Sequence, residues 1–295
     1  MKNIKSFTAL ILALCFLAPT FLIACKDKTA EPPRLDTEIS EELESSDAET
    51  ESQAPESSAP SQTPPESSTP PKDETPSAPT VTPVPQKAQY IKCTGDSVNI
   101  RAGASTEHTV LGSAEKGTMY AVIGKTGNWY KTYYKNKIAY VYASYTSVFT
   151  LEKADEQIED VIEEGYKLLG VPYVYGAVRV HDGKGKLLGG FTTQKFDCSS
   201  LIQYIFYKGA GELLGVHSRA QVLQGEYVKP DDLQRGDCIF FTNESRQYNK
   251  GIERVGHVAL YLGDGYILHT ASDYARIEKM SAKRWSFYIE ARRFL

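Results

Sequence analysis

The chain has 295 residues, with 33 lysines and arginines against 37 aspartates and glutamates, which gives a formal net charge of −4 at pH 7. A charge this close to neutral excludes the basic field by which proteins attract nucleic acid. Hydrophobic residues make up 41% of the chain and aromatic residues 11%, and the length exceeds what a single modest domain needs.

The first 24 residues have the pattern of a signal peptide. Lys2 and Lys5 precede an apolar segment from about Phe7 to Ala18, which is too short for an ordinary membrane span. The segment ends at Leu22-Ile23-Ala24-Cys25, which resembles a bacterial lipobox. That resemblance implies cleavage before Cys25, lipidation of its thiol and a lipid anchor on the extracytoplasmic face of the cell membrane. An ordinary secretory signal or a retained anchor is the alternative.

Residues 25–89 have a different composition from the rest of the chain. From residue 26 onward they hold 12 of the 15 prolines and 14 acidic against 5 basic residues, with almost no large apolar side chains. Such a segment cannot bury a core, so we predict a disordered acidic tether after the lipidated cysteine. The part that follows is close to neutral, with a net charge of +3.

Residues 90–147 are rich in short aromatic and β-branched runs separated by glycines. The runs lie at residues 120–123, 129–134 and 138–142. This spacing predicts a small all-β barrel. A helix is predicted next, at residues 156–169, because Asp155 is a suitable N-cap and apolar residues recur on one face.

A single cysteine stands at the start of an apolar run that follows Phe196-Asp197-Cys198. Leu201, Ile202, Ile205 and Phe206 recur at helical spacing and Asp197 is a good N-cap, so Cys198 is expected in the first turn of a helix. Backbone N–H groups and the helix dipole favour a thiolate there. Cys198 is therefore a candidate nucleophile.

Two histidines follow in a predicted β-hairpin. His257 and His269 lie in alternating segments joined by Gly263-Asp264-Gly265. A three-residue loop would pair Leu262 with Tyr266 and bring the two imidazoles to the same face, whereas a two-residue Asp-Gly turn would send them to opposite faces. We expect the first arrangement, with His257 as the base for Cys198 and His269 as the residue that orients it.

Other interpretations of these residues remain open. A lone cysteine in an apolar helix is commonly a small buried hydrophobe, and a histidine on a strand is commonly structural. Cys198, His257 and His269 also contain the donor atoms of a zinc site, although no short-range Cys-x-x-Cys or His-x-x-x-His pair supports one. His217 is an alternative base that lacks the hairpin context. We expect no metal and no cofactor.

Residues 152–295 resemble the NlpC family of cell-wall cysteine peptidases. Four blocks carry the resemblance in order: Leu169-Gly170-Val171-Pro172-Tyr173, Phe196-Asp197-Cys198-Ser199-Ser200, Leu233-Gln234-Arg235-Gly236-Asp237 and Gly256-His257-Val258-Ala259-Leu260. The resemblance implies an α+β class with a reduced papain-like fold of helices and an antiparallel sheet. It also implies Cys198 as nucleophile, His257 as base, His269 as orienting residue and Tyr173 beside the nucleophile.

The same resemblance suggests which residues contact substrate. Asp197 and Ser199 flank the nucleophile and would receive an amine or amide, while Ser218 and Arg219 would meet a carboxylate. Local capping or surface solvation is the alternative for each. The insertion at residues 181–190, where relatives often have a short turn, would form one wall of the groove.

The predicted barrel resembles a bacterial SH3-like domain. The matching residues include Val98-Asn99-Ile100-Arg101, Gly127-Asn128-Trp129-Tyr130 and Ala139-Tyr140-Val141. Such domains bind cell-wall peptides or pack against a catalytic partner. After loss of Cys15 and lipidation of Cys25, Cys93, Cys198 and Cys238 remain; nothing compels a Cys93 to Cys238 bridge, and Cys238 is expected in the core.

Together these patterns predict a lipid-anchored cysteine endopeptidase of peptidoglycan stem peptides, acting at the bond between γ-D-glutamyl and the following diamino acid. Two alternatives stay open at this point: a non-catalytic wall-binding lipoprotein, and a cysteine amidase or acyltransferase acting on cell-wall material. The expected partners are peptidoglycan peptides and the membrane, through Cys25, with no nucleic acid. The sequence leaves the oligomeric state open.

Overall fold

The computed structural model describes residues 86–295. The predicted signal peptide, Cys25 and most of the predicted tether lie outside these residues. Lys87, Ala88 and Gln89, which were predicted to end the tether, belong to the first strand instead. None of the helices in residues 86–295 is long and apolar enough to span a bilayer.

The first part of the described chain is all strand apart from one turn. Its strands are β1 (Lys87–Cys93), β2 (Val98–Arg101), β3 (Val110–Ala114), β4 (Met119–Ala121), β5 (Gly124–Thr126), β6 (Trp129–Tyr134), β7 (Lys137–Tyr142) and β8 (Thr146–Glu152), with a 3-10 turn at Ala143–Tyr145. This agrees with the β-rich pattern of the sequence. Helix α1 (Glu156–Lys167) follows, and the Asp155 carboxylate accepts from the Ile158 N–H as the N-cap.

The second part combines helices with an antiparallel sheet. Its elements are α2 (Cys198–Ala210), α3 (Ser218–Gln221), β9 (Glu226–Val228), β10 (Cys238–Phe241), β11 (His257–Gly263), β12 (Tyr266–Ala271), β13 (Tyr274–Lys279), α4 (Ala282–Ser286) and β14 (Tyr288–Arg293), with 3-10 turns at Pro230–Asp232 and Gly251–Arg254. The four strands β10 to β13 run antiparallel in a meander, so the predicted catalytic hairpin β11–β12 lies between β10 and β13.

The strands form two sheets. A five-stranded sheet has the order β3-β2-β7-β6-β5, and a nine-stranded sheet has the order β8-β1-β4-β13-β12-β11-β10-β14-β9. Strands β1, β4 and β8 come from the predicted SH3-like region, yet they extend the sheet of the C-terminal part, joined to it where Met119 pairs with Ile277. The barrel is thus continuous with the predicted catalytic domain rather than a separate body.

The large sheet buries both of its faces near the hairpin. On one face Val258, Leu260 and Leu268 belong to the same cluster as Leu201 and Ile205 of α2. On the opposite face Ile239, Phe241, Ala259 and Ile267 form a second cluster. Helices α1 and α2 approach each other closely at Gly209, where an added Cβ would lie 2.5 Å from the Val161 Cα. Glycine is therefore needed at position 209 for α2 to pack this closely against α1.

A buried arginine ties three parts of the fold together. The Arg235 guanidinium donates to both carboxylate oxygens of Glu159 in α1, to the Tyr90 hydroxyl in β1, to the Tyr166 hydroxyl and to the Leu262 carbonyl. A planar group with five donors is suited to such a site. Arg235 thereby joins the first strand, the bridging helix and the hairpin strand β11.

The three cysteines of the described residues carry free thiols. Cys238 is fully buried, as predicted for core packing, and Cys93 is buried as well. No bridge between Cys93 and Cys238 is therefore formed in residues 86–295. This leaves Cys198, which is half-buried, as the cysteine with access to a cleft.

Candidate active site

The start of α2 is held by a reciprocal cap. The Asp197 carboxylate accepts from the Ser200 N–H at 2.8 Å, and the Ser200 hydroxyl accepts from the Asp197 N–H at 2.9 Å. This capping box satisfies two backbone donors that a helix start leaves unpaired. Cys198 is the first residue of the helix, as the sequence predicts.

Asp197 and Ser199 are both buried and bonded within the protein, which differs from the expectation that they meet substrate. The Asp197 carboxylate accepts from the Gly176 N–H and the Ser199 hydroxyl in addition to the cap, and it forms an ion pair of 2.9 Å with Arg179. Arg179 also donates to the Ser199 hydroxyl at 3.1 Å. These bonds use the acceptors of the carboxylate, so the two residues hold the helix start in place.

The histidine hairpin has the predicted register but a different turn. Leu260 pairs with Leu268 and Tyr261 with Ile267, which is the register that puts His257 and His269 on one face. The turn itself is a two-residue Asp264-Gly265 turn between Gly263 and Tyr266, and a register shift between Tyr261 and Gly263 inserts one extra residue. The prediction of a three-residue loop that pairs Leu262 with Tyr266 was wrong, because a β-bulge supplies the odd residue instead.

The two histidines contact each other directly. The Nε2 of His257 lies 2.9 Å from the Nδ1 of His269, and the rings are nearly perpendicular at a centroid distance of 5.1 Å. His269 is 1% exposed and His257 is 9% exposed. This contact occupies one nitrogen of His257, so the other nitrogen, Nδ1, is the one left for an external proton.

The helix and the histidines meet at the end of strand β11. Helix α2 packs on the face of Val258 and Leu260, whereas His257 shares the opposite face with Ala259. The Cys198 thiol nevertheless lies close to this strand, because the Val258 backbone N–H is one of the groups that lower the pKa of the thiol. Both Cys198 and His257 line one open cleft. The thiol and the imidazole therefore share one cleft at the strand end.

The cleft has a volume of about 700 Å³. Its lining is Tyr173, Cys198, residues 242–245, Gly256, His257, Ala271, Ser272, Ser281, Lys283, Arg284 and Phe287. Lys283 is paired with Glu244 at 2.7 Å, with both side chains largely exposed. The cleft thus combines a thiol, an imidazole and two cationic side chains in one open groove.

Burial determines the protonation state of the resting site. Burial, together with the charge of Asp197, raises the pKa of the Cys198 thiol to about 11, although the backbone N–H groups of Val258 and Ser199 oppose the shift. Burial and the neighbouring His269 lower the pKa of His257 well below its usual value. Burial therefore opposes the thiolate that the helix start was expected to favour. Cys198 and His257 are both neutral at pH 7.

Tyr173 lies in the cleft, as the sequence predicts. Its backbone N–H donates to the Asp273 carbonyl, and it forms a bridge with Phe196 next to the helix start. Burial and the nearby Cys198 and Asp197 raise the pKa of the Tyr173 phenol to about 12. The phenol therefore keeps its proton at neutral pH, as a hydrogen-bond donor must.

Other residues predicted to contact substrate lie elsewhere. Ser218 is buried at the start of α3, and Arg219 pairs with Glu253 at 3.5 Å. Neither residue lines the cleft that holds Cys198, and His217 caps α3 with its imidazole. The insertion at residues 181–190 also lies away from this cleft; its His181 is buried against Tyr207 of α2. The groove wall comes instead from the segment after β10 and from α4.

Several residues of the site were missed by the sequence analysis. Arg179 fixes the helix start, and Glu278 and Arg284 lie behind His269. The alternating segment Tyr274–Lys279 directly after the hairpin was a usable signal for Glu278, since a third meander strand carries side chains on the same face as its neighbour. Arg179 gave no such signal, because it is 18 residues from Asp197 in an irregular segment.

A zinc site does not fit this geometry. The facing nitrogens of His257 and His269 are hydrogen-bonded to each other, so they do not converge on a common point with Cys198. Within the range that the structure covers, 86–295, no group of three or more histidine, cysteine or acidic residues is arranged to hold a metal ion.

A thiol at a helix start, in the same cleft as one of two hydrogen-bonded histidines, is the arrangement expected of the cysteine hydrolase class. Comparison with known proteins shows which family within this class the chain resembles. Residues 170–293 match the NlpC/P60 family and residues 96–147 match the bacterial SH3 domain. The chain therefore contains an NlpC/P60 domain preceded by a bacterial SH3 domain, as the sequence motifs predicted.

Named relatives share the C-terminal part. The chain is 32% identical over 126 residues to the gamma-DL-glutamyl hydrolase of Bacillus subtilis (strain 168), covering 42% of this chain and 26% of that protein. It is 32% identical over 124 residues to the peptidoglycan endopeptidase RipB of Mycobacterium tuberculosis, covering 42% and 47%. It thus spans only about a quarter to a half of these relatives. A crystal structure of an NlpC/P60 family protein from Bacillus cereus matches with a TM-score of 0.39 and 24% identity over 70% of this chain and 64% of that one.

Proposed function

We propose that this protein is a cysteine endopeptidase that hydrolyses peptidoglycan stem peptides, at the bond between γ-D-glutamyl and the following diamino acid. The observation that carries the proposal is the 2.9 Å contact between His257 and His269, which leaves the Nδ1 of His257 free in the cleft that also contains Cys198. The names of the two relatives, a gamma-DL-glutamyl hydrolase and a peptidoglycan endopeptidase, support the substrate class.

The first chemical step begins from a neutral pair. His257 Nδ1 takes the proton of the Cys198 thiol as the sulfur attacks the scissile carbonyl, so no free thiolate has to persist in the buried site. The developing oxyanion lies near the helix start, where backbone N–H groups point outward and the protonated Tyr173 phenol supplies a further donor. His257 then gives its proton to the leaving amine of the diamino acid.

The second step releases the product. The acyl group remains on the Cys198 sulfur as a thioester, and a water molecule enters the open cleft. His257 removes a proton from the water as it attacks the thioester, which breaks the carbon–sulfur bond. The sulfur recovers a proton from His257, and a carboxylate product leaves. The same imidazole serves as base and acid in both steps, which requires that His269 keep its ring in one orientation.

Defined muropeptides test the proposal. The purified full-length protein is incubated with stem peptides that contain either diaminopimelate or lysine, and products are identified by mass spectrometry. Cys198→Ala and His257→Ala are expected to lose hydrolysis by at least about 10³-fold, while His269→Ala loses less, because an orienting residue does not carry the proton. His217→Ala is the matched control, since His217 lies outside the cleft. Full hydrolysis by Cys198→Ala would overturn the proposal.

The same assay separates the two alternatives. A non-catalytic wall-binding protein would leave every peptide intact while still sedimenting with peptidoglycan. An amidase or an acyltransferase would change the mass of the products, because a different bond is cut or a group is added. Cleavage between γ-D-glutamyl and the diamino acid, lost in Cys198→Ala, is the expected result.

We also propose that the protein is anchored to the extracytoplasmic face of the cell membrane through a lipid on Cys25. The supports are the lipobox-like Leu22-Ile23-Ala24-Cys25 and the apolar segment before it. Metabolic labelling with a radioactive fatty acid is expected to mark the wild-type protein in the membrane fraction. Cys25→Ala is expected to lose the label; retained label in that variant would contradict the anchor. Cys15→Ala is the matched control and keeps the label.

A further inference from the structure

A carboxylate lies behind the second histidine. Glu278 Oε2 is 3.4 Å from the Nε2 of His269, and this buried nitrogen has no closer hydrogen-bond partner in the described part of the chain. The other carboxylate oxygen, Oε1, accepts two bonds from Arg284, at 2.9 and 3.2 Å. Arg284 thus fixes one oxygen of Glu278 and leaves the second directed at His269.

The side chains follow one another in a row. Strand β13 pairs with β12 so that Ile267 lies opposite Glu278, which puts Glu278 in the diagonal position from His269 on the same face. His269 in turn contacts His257 at 2.9 Å through its other nitrogen. The row Cys198, His257, His269 and Glu278 therefore ends in a carboxylate rather than at the second histidine.

The row has only one arrangement of protons that leaves a base facing Cys198. An ionised carboxylate accepts hydrogen bonds and donates none, so the single proton of neutral His269 belongs on Nε2. The Nδ1 of His269 then carries a lone pair and accepts from His257 Nε2–H. That leaves the Nδ1 of His257 unprotonated. In the opposite arrangement His269 Nδ1–H would donate to His257, and His257 would present an N–H to the thiol.

We propose that Glu278 is a positioning residue that selects the basic tautomer of His257 through His269, with Arg284 fixing the carboxylate. The proposal rests on the proposed function, because it assigns His257 as the base for Cys198. The contact of 3.4 Å is long for a hydrogen bond, as catalytic hydrogen bonds often are before substrate binds. Glu278 also stabilises the imidazolium that forms when Cys198 gives up its proton.

The charged neighbours of the histidine pair are few. Arg276 and Arg284 face His269 beside Glu278, and both oppose protonation of its ring. Burial opposes ionisation of Glu278, but His269 and Arg284 together lower the pKa of its carboxyl to about 2. Glu278 is therefore ionised at neutral pH, and it is the acidic group that favours protonation of both histidines.

Kinetics of Glu278→Gln test the proposal on the full-length protein. The amide keeps the volume of the side chain but removes the charge and permits donation as well as acceptance. We expect kcat to fall roughly 10- to 100-fold with KM changed less than about twofold. Because removal of the negative charge lowers the pKa of the histidine pair, the acid limb of the pH profile of kcat/KM is expected to move to lower pH. Glu278→Asp is expected to recover part of kcat.

Glu290→Gln is the matched control. Glu290 is also a half-buried strand carboxylate bound to an arginine, Arg292, but unlike Glu278 it forms no ion pair with His269. The control is expected to leave kcat and the acid limb unchanged. A Glu278→Gln profile identical to that of the control overturns the proposal, and so does a fall in kcat without movement of the acid limb, because a merely structural role predicts only the fall.

A spectroscopic measurement separates this proposal from the proposed function. In protein labelled with ¹⁵N-histidine and carrying Cys198→Ala, the ring nitrogens of His257 and His269 report the tautomer without turnover. We expect Nε2–H for both rings, and a mixture of tautomers after Glu278→Gln. An unchanged spectrum in Glu278→Gln overturns the role of Glu278, whatever the hydrolysis assay shows. If the spectra are as expected but the wild-type protein hydrolyses no peptide, the proposed function is wrong and the role of Glu278 in selecting the tautomer stands.

Discussion

The Arg179 guanidinium lies 2.9 Å from the Asp197 carboxylate, which joins an irregular segment to the first turn of the helix that carries Cys198. Arg179 also donates to the carbonyls of Val216 and Ala177, each at 2.5 Å. Asp197 is thereby a buried charge whose countercharge comes from a distant part of the chain. The position of the nucleophile depends on this pair as well as on the local helix cap.

Removal of Arg179 should therefore affect both stability and activity. Arg179→Ala leaves the Asp197 carboxylate buried without its ion pair, and we expect a loss of about 2–4 kcal/mol in the free energy of unfolding. Urea denaturation measures this loss, and hydrolysis should fall with it. Lys87→Ala is the control, since Lys87 and Glu152 form an exposed pair that contributes at most about 1 kcal/mol. Equal losses in the two variants would contradict the role of Arg179.

Arg235 should stabilise the contact between the two domains, which we expect to unfold in a single transition. Arg235→Ala leaves Glu159 and the Tyr90 hydroxyl without their donor, so we expect a loss of about 3–5 kcal/mol. Arg235→Lys should recover only part of it, because an ammonium cannot reproduce the planar fork. Chemical denaturation followed by both fluorescence and circular dichroism should show one transition in wild type. Arg292→Ala is the control, and two separate wild-type transitions would refute the prediction.

The bulged hairpin should depend on Gly263. Its φ of 99° lies in the left-handed region, where a side chain is strained. Gly263→Ala is expected to cost about 1–2 kcal/mol and to lower the melting temperature. Gly124→Ala is the matched control, because an added Cβ there meets only the Lys131 side chain at an ordinary 3.7 Å. A similar melting temperature for both variants would show that the turn tolerates the strain.

The reactivity of Cys198 should rise steeply with pH. Because burial and Asp197 raise the pKa of the thiol to about 11, the thiolate is a minor form at pH 7. Iodoacetamide alkylation of Cys198 should therefore accelerate roughly tenfold per pH unit from pH 7 to 10. Alkylation of Cys198→Ser at each pH gives the contribution of the other cysteines, including buried Cys93 and Cys238. A fast rate that is flat from pH 5 to 8 would instead indicate a preformed thiolate and imidazolium pair.

The sequence by itself determined the parts of the site that arise within short stretches of chain. Asp197 caps the helix and Cys198 begins it because both the cap and the apolar spacing are local. The register that brings His257 to His269 was also predictable, since a hairpin is closed by its own turn. Even there the bulge before Gly263 was missed. A three-residue loop, and a two-residue Asp-Gly turn with one extra residue in the strand, both place His257 and His269 on the same face of the sheet.

Only the tertiary structure decided which distant groups surround those residues. The pairing of Arg179 with Asp197, the place of Glu278 behind His269 and the entry of β1, β4 and β8 into the large sheet depend on contacts between separate segments. The protonation of the site depends on them as well. A capped helix start favours a thiolate, but the depth of burial raises the pKa of Cys198, and burial is a property of packing that no local pattern specifies.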